Sequence, residues 1–143
     1  MKYLALDLGT KTLGLAISDK LGIIASPYKV LRYDDINKLI DELLVIIEKE
    51  NADELVLGLP KNMNNSLGFA SERSLNFKTI LETKCSLPIH LVDERLSTME
   101  AENILISNDT SRQKRKKIID AYAASIILDT FLKSKKGLWY GYR

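Results

Sequence analysis

One cysteine, Cys85, and one histidine, His90, are all that the 143-residue chain has of either type. A lone cysteine excludes an intrachain disulfide and suits a cytosolic setting. The two together cannot build a zinc centre of the usual Cys/His kind. Excess charge is equally scarce: 21 Lys and Arg against 19 Asp and Glu leave a net +2, so any basic signal has to be local. No apolar run approaches the roughly 20 residues that span a bilayer. The chain enters an alternating strand at once, without a signal-peptide layout, and neither internal repeats nor low-complexity linkers divide it. What is present, 45% hydrophobic and 28% charged residues, is the make-up of a globular protein with one core. Residues 1–143 read as one domain.

The pattern along the chain predicts strands at 3–8 (YLALDL), 13–18 (LGLAIS) and 23–31 (IIASPYKVL). The first two are joined by the turn Gly9-Thr10-Lys11-Thr12 as a hairpin. Pro27 cannot donate to a ladder, which puts the third strand at a sheet edge. A helix capped by Asp34 or Asp35 follows, with apolar positions Ile36, Leu39, Ile40, Leu43, Leu44 and Ile47. Residues 54–59 (ELVLGL) form a fourth strand ended by Pro60, and 62–68 a polar loop. A second helix carries the stripe Leu67, Ala70, Ser74, Phe77, Leu81. Residues 88–93 (PIHLVD) form a fifth strand. Ser97 with Glu100 resembles a capping box opening a third helix, which Asn108-Asp109-Thr110-Ser111 breaks. A last helix is predicted from Lys116 to Lys133, and 107–115 reads as a loop that orders when nucleic acid binds. Helical crossovers imply parallel pairing of strands 1, 4 and 5. Their C-terminal ends then share one edge, outside which α/β sheets bind ligands.

Acids collect at that edge. Asp7 ends strand 1, Asp93 and Glu94 end strand 5, and Asp120 heads the stripe Asp120, Ala123, Ala124, Ile127, Phe131 of the last helix, which turns it toward the sheet. Taken singly, each has an ordinary structural reading: a strand-end Asp forms turns or caps helices, and Asp120 pairs with Lys116 or Lys117 one turn earlier. Taken together, converging carboxylates repel unless a proton or a cation lies between them. With histidine and cysteine nearly absent, a hard cation, Mg²⁺ or Mn²⁺, suits the oxygen donors. Asp93 and Glu94 point to opposite faces of their strand, and which of them faces the site stays open. Asp129 falls on the opposite helix face, about 13 Å further along.

Four stretches carry a family resemblance: Asp7-x-Gly9-x-x-x-x-Gly14-x-Ala16-x-Ser18-Asp19, Gly58-Leu59-Pro60, Asp93-Glu94-Arg95-Leu96-Ser97-Thr98 and Asp120-Ala121-x-Ala123-Ala124. In order, across nearly the whole chain, they resemble the YqgF family, also called the RuvX or pre-16S rRNA nuclease family. The resemblance implies a ribonuclease H-like α/β fold, a five-stranded mixed sheet of order 3-2-1-4-5 with strand 2 antiparallel. It also implies metal-dependent cleavage of a nucleic-acid phosphodiester, with Asp7, Glu94 and Asp120 as metal-binding catalytic acids. The implied role is maturation of the 5′ end of 16S rRNA in the cytoplasm, with the small ribosomal subunit as partner and the protein a monomer or weak homodimer. Relatives in the wider fold resolve Holliday junctions. They take an acid from the end of strand 4 and often a pair from the last helix, whereas here strand 4 ends in Gly58-Leu59-Pro60 and the last helix offers Asp120.

A nucleic-acid substrate needs basic surface. Residues 112–117, RQKRKK, place five positive charges in six positions just before Asp120. A cation cluster at a helix start opposes the helix dipole, so Arg112, Lys114, Arg115, Lys116 and Lys117 are assigned to the phosphate backbone rather than to helix stability. Lys11 and Lys61 lie on turns that reach the same edge. Arg95 and the start of the helix at Ser97 and Thr98 are further phosphate contacts, with simple capping the other reading of Ser97. The tail GLWYGYR suits docking on the domain or base stacking. His90 and Cys85 read as structural. Two other functions compete. The Asp-x-Gly hairpin also resembles the phosphate motif of the sugar kinase, actin and heat-shock ATPase group, but those proteins clasp a nucleotide between two such domains, and no P-loop is present. A non-catalytic RNA-binding module of ribosome assembly would use the basic run and leave the acids unexplained.

Overall fold

A computed structural model describes residues 1–60, 68–93 and 112–135, the side chains of 112–119 excepted. Five strands, β1 (Tyr3–Leu8), β2 (Thr12–Ser18), β3 (Ala25–Arg32), β4 (Glu54–Leu59) and β5 (Ile89–Asp93), form one sheet of order β3-β2-β1-β4-β5. β2 is antiparallel to β1 and to β3, while β4 is parallel to β1 and to β5. Helices α1 (Ile36–Glu50) and α2 (Phe69–Lys84) cover one face of the sheet, and α3 (Arg112–Lys135) covers the other. The order and the edge position of β3 are those expected. Pro27 lies opposite Ala16, where the pairing register shifts between Leu15 and Ala16, so the missing donor falls at an irregularity of the outer strand.

The alternation of β1 divides the core. Leu4, Leu6 and Leu8 pack with Leu39, Ile40, Leu43 and Ile46 of α1 and with Phe77 and Leu81 of α2. Tyr3 and Ala5 pack with Ala16, Val56 and the α3 residues Ala124, Ile127, Leu128 and Leu132. The α3 side is lined with small residues, which lets the helix backbone come close to the strands.

Three details differ from expectation, and the cap of α1 is one of the two residues expected. β3 starts at Ala25 and not at Ile23, because the Asp19 carboxylate accepts from the Ile23 and Ile24 N–H groups (2.7 and 3.0 Å) and holds them in the β2–β3 turn. Those two bonds, Ile24 first, pull the Asp19 carboxyl below the usual carboxylate range. The cap of α1 is Asp35, whose Oδ1 accepts from Asn37 N at 2.9 Å. α2 buries Ser71, not Ala70, in its first turn, since the Ser71 hydroxyl donates to the Pro60 carbonyl and anchors the helix to the end of β4. α3 begins at Arg112, four residues early, so 112–115 is helix and not loop. Arg, Gln and Lys are strong helix formers, and their propensity outweighs the dipole penalty here. The loop at 62–67, the helix expected from Ser97 and residues 107–111 lie outside the described residues.

Candidate functional site at the edge of the sheet

Asp7 has the parity of Tyr3 and Ala5 and so belongs to the α3 side of β1. It is half-buried and lies directly across from Gly14 of β2. α3 crosses at this point. A Cβ on Gly14 would come within 2.1 Å of the Asp120 carbonyl oxygen and 2.6 Å of its carbonyl carbon. The absent side chain at Gly14 is therefore what lets the Asp120 backbone rest on the sheet beside Asp7.

The Asp120 side chain is held as well. Its Oδ2 accepts a hydrogen bond from the Thr12 hydroxyl at 2.9 Å, across 108 positions of sequence. Thr12 heads β2 and shares the parity of Gly14 and Ala16, so its side chain also belongs to the α3 side. Its carbonyl closes the preceding turn by accepting from Gly9 N at 2.8 Å. The Tyr33 hydroxyl donates to the Gly9 carbonyl at 2.5 Å, and Tyr33 N donates to the Lys11 carbonyl at 3.0 Å. Burial pushes the Tyr33 phenol up, partly offset by the Arg73 cation nearby. The turn after Asp7 is thus tied to β3, and it presents Lys11 exposed at its tip.

β5 narrows the choice between Asp93 and Glu94. His90 and Val92 belong to the α3 side: Val92 packs against that core, and the His90 ring lies 4.8 Å from the Phe131 ring. Ile89 packs on the opposite core. Asp93 shares the parity of Ile89, so it falls on the α1/α2 side, away from Asp7 and Asp120.

Among the described residues no three His, Cys, Asp or Glu side chains form a cation-sized cluster. Asp7 and Asp120 come to one place, while Glu94, the third expected acid, lies outside the described residues, as do Lys61, Arg95, Ser97 and Thr98. The donor chemistry still fits a hard divalent cation. The lone histidine is bound to Glu54 (Nε2 to Oε1, 2.5 Å) and is stacked near Phe131, eleven residues and about 16 Å along α3 from Asp120. Cys85 caps the C-terminus of α2 on the other side of the sheet. Oxygen is what remains at the edge. Asp129 stands apart, ion-paired with Lys133 at 2.8 Å.

The basic run 112–117 is helical backbone. α3 meets the sheet edge at Asp120, so its first eight residues extend about 12 Å beyond that contact. Sequence reasoning missed Thr12, which read only as a turn residue. Its one available signal was strand parity with Gly14.

The family described as RuvX, Holliday junction resolvase, matches residues 1–134. A protein of Geobacillus sp. strain WCH70, named "Putative pre-16S rRNA nuclease", is 47% identical over 138 residues, covering 95% of this chain and all of that one. A protein of the same name from Staphylococcus saprophyticus is 51% identical, covering 93% of this chain and 96% of that one. Among solved structures, Thermus thermophilus RuvC in complex with a Holliday junction substrate superposes with a TM-score of 0.61 at 13% identity, covering 96% of each chain. Fowlpox virus resolvase with its junction DNA gives 0.59 at 13% identity, over 94% of this chain and 99% of that one. The fold is therefore ribonuclease H-like. No helix among the described residues is long and apolar enough to cross a membrane.

Proposed function

Because the chain belongs to the RuvX family and is a nuclease, we propose that it hydrolyses phosphodiester bonds of precursor 16S rRNA, forming the 5′ end of the mature RNA. The observation that carries the reading is the convergence of Asp7 and Asp120 on the α3 side of the sheet edge, enforced by the missing side chain at Gly14. We assign Glu94 as the third acid, since the alternation of β5 removes Asp93 from that side. The three carboxylates would hold Mg²⁺ or Mn²⁺. The chemistry such a cation supplies when bound is activation of water and stabilisation of charge on the phosphoryl oxygens.

The chain's own residues do the rest. Asp7 stands on the central strand of the sheet. Thr12 holds the Asp120 carboxylate through its hydroxyl and closes the Gly9 turn through its carbonyl. Lys11 at the turn and the overhanging run Arg112, Lys114, Arg115, Lys116 and Lys117, with Lys61 and Arg95, bind the phosphate backbone. The setting we assign is the cytoplasm, where the lone cysteine raises no disulfide question. We assign the small ribosomal subunit as partner and residues 1–143 as one domain, working as a monomer or weak homodimer.

The family's description and the likeness to junction resolvases favour a second reading, cleavage of four-way DNA junctions. Against it stand the carboxylate-free end of β4 (Gly58-Leu59-Pro60) and the engagement of Asp129 with Lys133. Four substrates assayed side by side with Mn²⁺ decide: precursor rRNA, single-stranded RNA, single-stranded DNA and a four-way junction. Precursor rRNA is expected to give the highest kcat/KM by about tenfold or more, a discrimination of roughly 1.4 kcal/mol, with all cleavage lost in EDTA. Preferred cleavage of the junction would establish the second reading instead. Binding of RNA without any cleavage would make the protein an assembly module.

A further inference from the structure

We infer that Thr12 is a positioning residue for the site, its hydroxyl fixing the Asp120 carboxylate in the orientation that binds the divalent cation. The inference rests on the assignment of Asp120 as a metal ligand and adds to it a residue outside the set of acids.

Asp120 arrives at the site on a helix, and its carboxylate can rotate about two side-chain bonds. The Thr12 hydroxyl donates to Oδ2 at 2.9 Å. A hydroxyl has one proton to give, and at this distance and position it goes to the carboxylate. One oxygen is thereby tethered, and the plane of the carboxylate is set relative to the sheet. Carboxylates that bind metals are commonly oriented by such outer partners.

Thr12 is itself rigid. It is β-branched, with few accessible rotamers. It pairs with Arg32 in the sheet, and its carbonyl closes the turn that follows Asp7. The same residue thus fixes the chain beside one acid and the side chain of the other. Among the described α3 side chains, the hydroxyls of Ser125 and Thr130 are used within the helix, on the Tyr122 and Ile126 carbonyls. A purely structural account of the bond would make it a tie between β2 and α3. The close packing at Gly14, Ala16, Ala123 and Ala124 already joins these elements over a much larger surface, so little of their docking depends on one hydroxyl.

The test is calorimetric titration of the metal-free protein with MnCl₂, together with steady-state cleavage, for wild type, Thr12→Val, Thr12→Ser and Asp120→Asn. Thr12→Val keeps the β-branched shape and the turn carbonyl and loses only the hydroxyl. Thr12→Ser keeps the hydroxyl. Thr12→Val is expected to bind Mn²⁺ about tenfold or more weakly, with kcat reduced and KM for RNA unchanged. Thr12→Ser is expected to bind close to wild type, and Asp120→Asn to lose most of the heat of binding. Circular dichroism melting of the metal-free proteins checks that Thr12→Val is folded. Wild-type Mn²⁺ affinity in Thr12→Val, with loss in Asp120→Asn, would overturn the role of Thr12 and leave the metal site standing. Weakening of equal size in Thr12→Ser would also overturn it, because the hydroxyl would then be irrelevant. Wild-type affinity in Asp120→Asn would remove the metal assignment itself.

Discussion

Asp7→Asn is expected to lower the rate of Mn²⁺-dependent RNA cleavage by on the order of 10³-fold, a loss of about 4 kcal/mol of transition-state stabilisation, while leaving the fold in place. The substitution is nearly isosteric, and the asparagine side chain keeps hydrogen-bonding capacity at a position that is only half-buried. What it removes is the anionic oxygen on the central strand of the sheet. The flanking residues Leu6 and Leu8 point into the opposite core and are untouched. The two consequences can be read separately, cleavage by product formation and folding by thermal melting in EDTA. KM for RNA is expected to stay near wild type, because the phosphate backbone is assigned to the lysines and arginines and not to Asp7. Full activity in Asp7→Asn would remove Asp7 from the catalytic set.

Gly14→Ala is expected to damage stability and activity together. Its new methyl group would lie 2.1 Å from the Asp120 carbonyl oxygen and 3.3 Å from Ala121 N. These are backbone atoms of a helix whose Ala123, Ala124 and Ile127 are buried against the same sheet, so no side chain can swing aside to relieve the contact. Either β2 or the whole of α3 has to move. Overpacking in a filled core costs about 1–3 kcal/mol, and a backbone-to-Cβ clash belongs at or above the top of that range. A loss of about 3 kcal/mol lowers Tm by roughly 10 °C in a chain of this size. The folded fraction is also expected to lose activity by about a hundredfold, since a displacement near 1 Å at a catalytic group costs that much. Urea denaturation with parallel cleavage assays at 20 °C checks both. Stability and kcat both within error of wild type would show that α3 does not rest on Gly14 as described.

These two residues mark where sequence reasoning reached the site and where it stopped. Asp7 was legible because local rules suffice: an acid at the end of an apolar strand, two glycines beyond it, and crossovers that turn the strand ends to one edge. The stripe headed by Asp120 was legible for the same reason, since helical period alone predicts which residues face the sheet. In the sequence Gly14 stands out only as a member of the opening motif. Its work is done against a helix more than a hundred positions later, and no local pattern carries that information. The Thr12–Asp120 bond is hidden in the same way. The choice between Asp93 and Glu94 could not be made from period two alone, because alternation says that they differ and not which faces α3. The packing of Val92 and His90 on the α3 side and of Ile89 on the other puts Asp93 on the α1/α2 side, which is the ground for proposing Glu94. Ser71 displaced Ala70 from the buried face of α2 because a hydroxyl bonded to the Pro60 carbonyl satisfies itself in the core, which a hydrophobicity pattern does not score.

The comparisons with known proteins add what geometry alone does not: a name held by relatives that match over nearly their whole length. The ribonuclease H-like sheet accounts for the order of the strands and the shared edge, and chemistry resides in the side chains placed there. The central claim is that the acids of β1 and α3 form one cation site at that edge. It is tested most directly by titrating Mn²⁺ into isotope-labelled protein and following paramagnetic broadening of backbone amide signals. The account predicts that the signals of Asp7, Gly14 and Asp120 broaden first and together at substoichiometric Mn²⁺, and those of Asp19 and Asp129, farther from the edge, later and less. Broadening centred on Asp129 or on the Asp19 turn, or spread without a focus over the acidic surface, would contradict it.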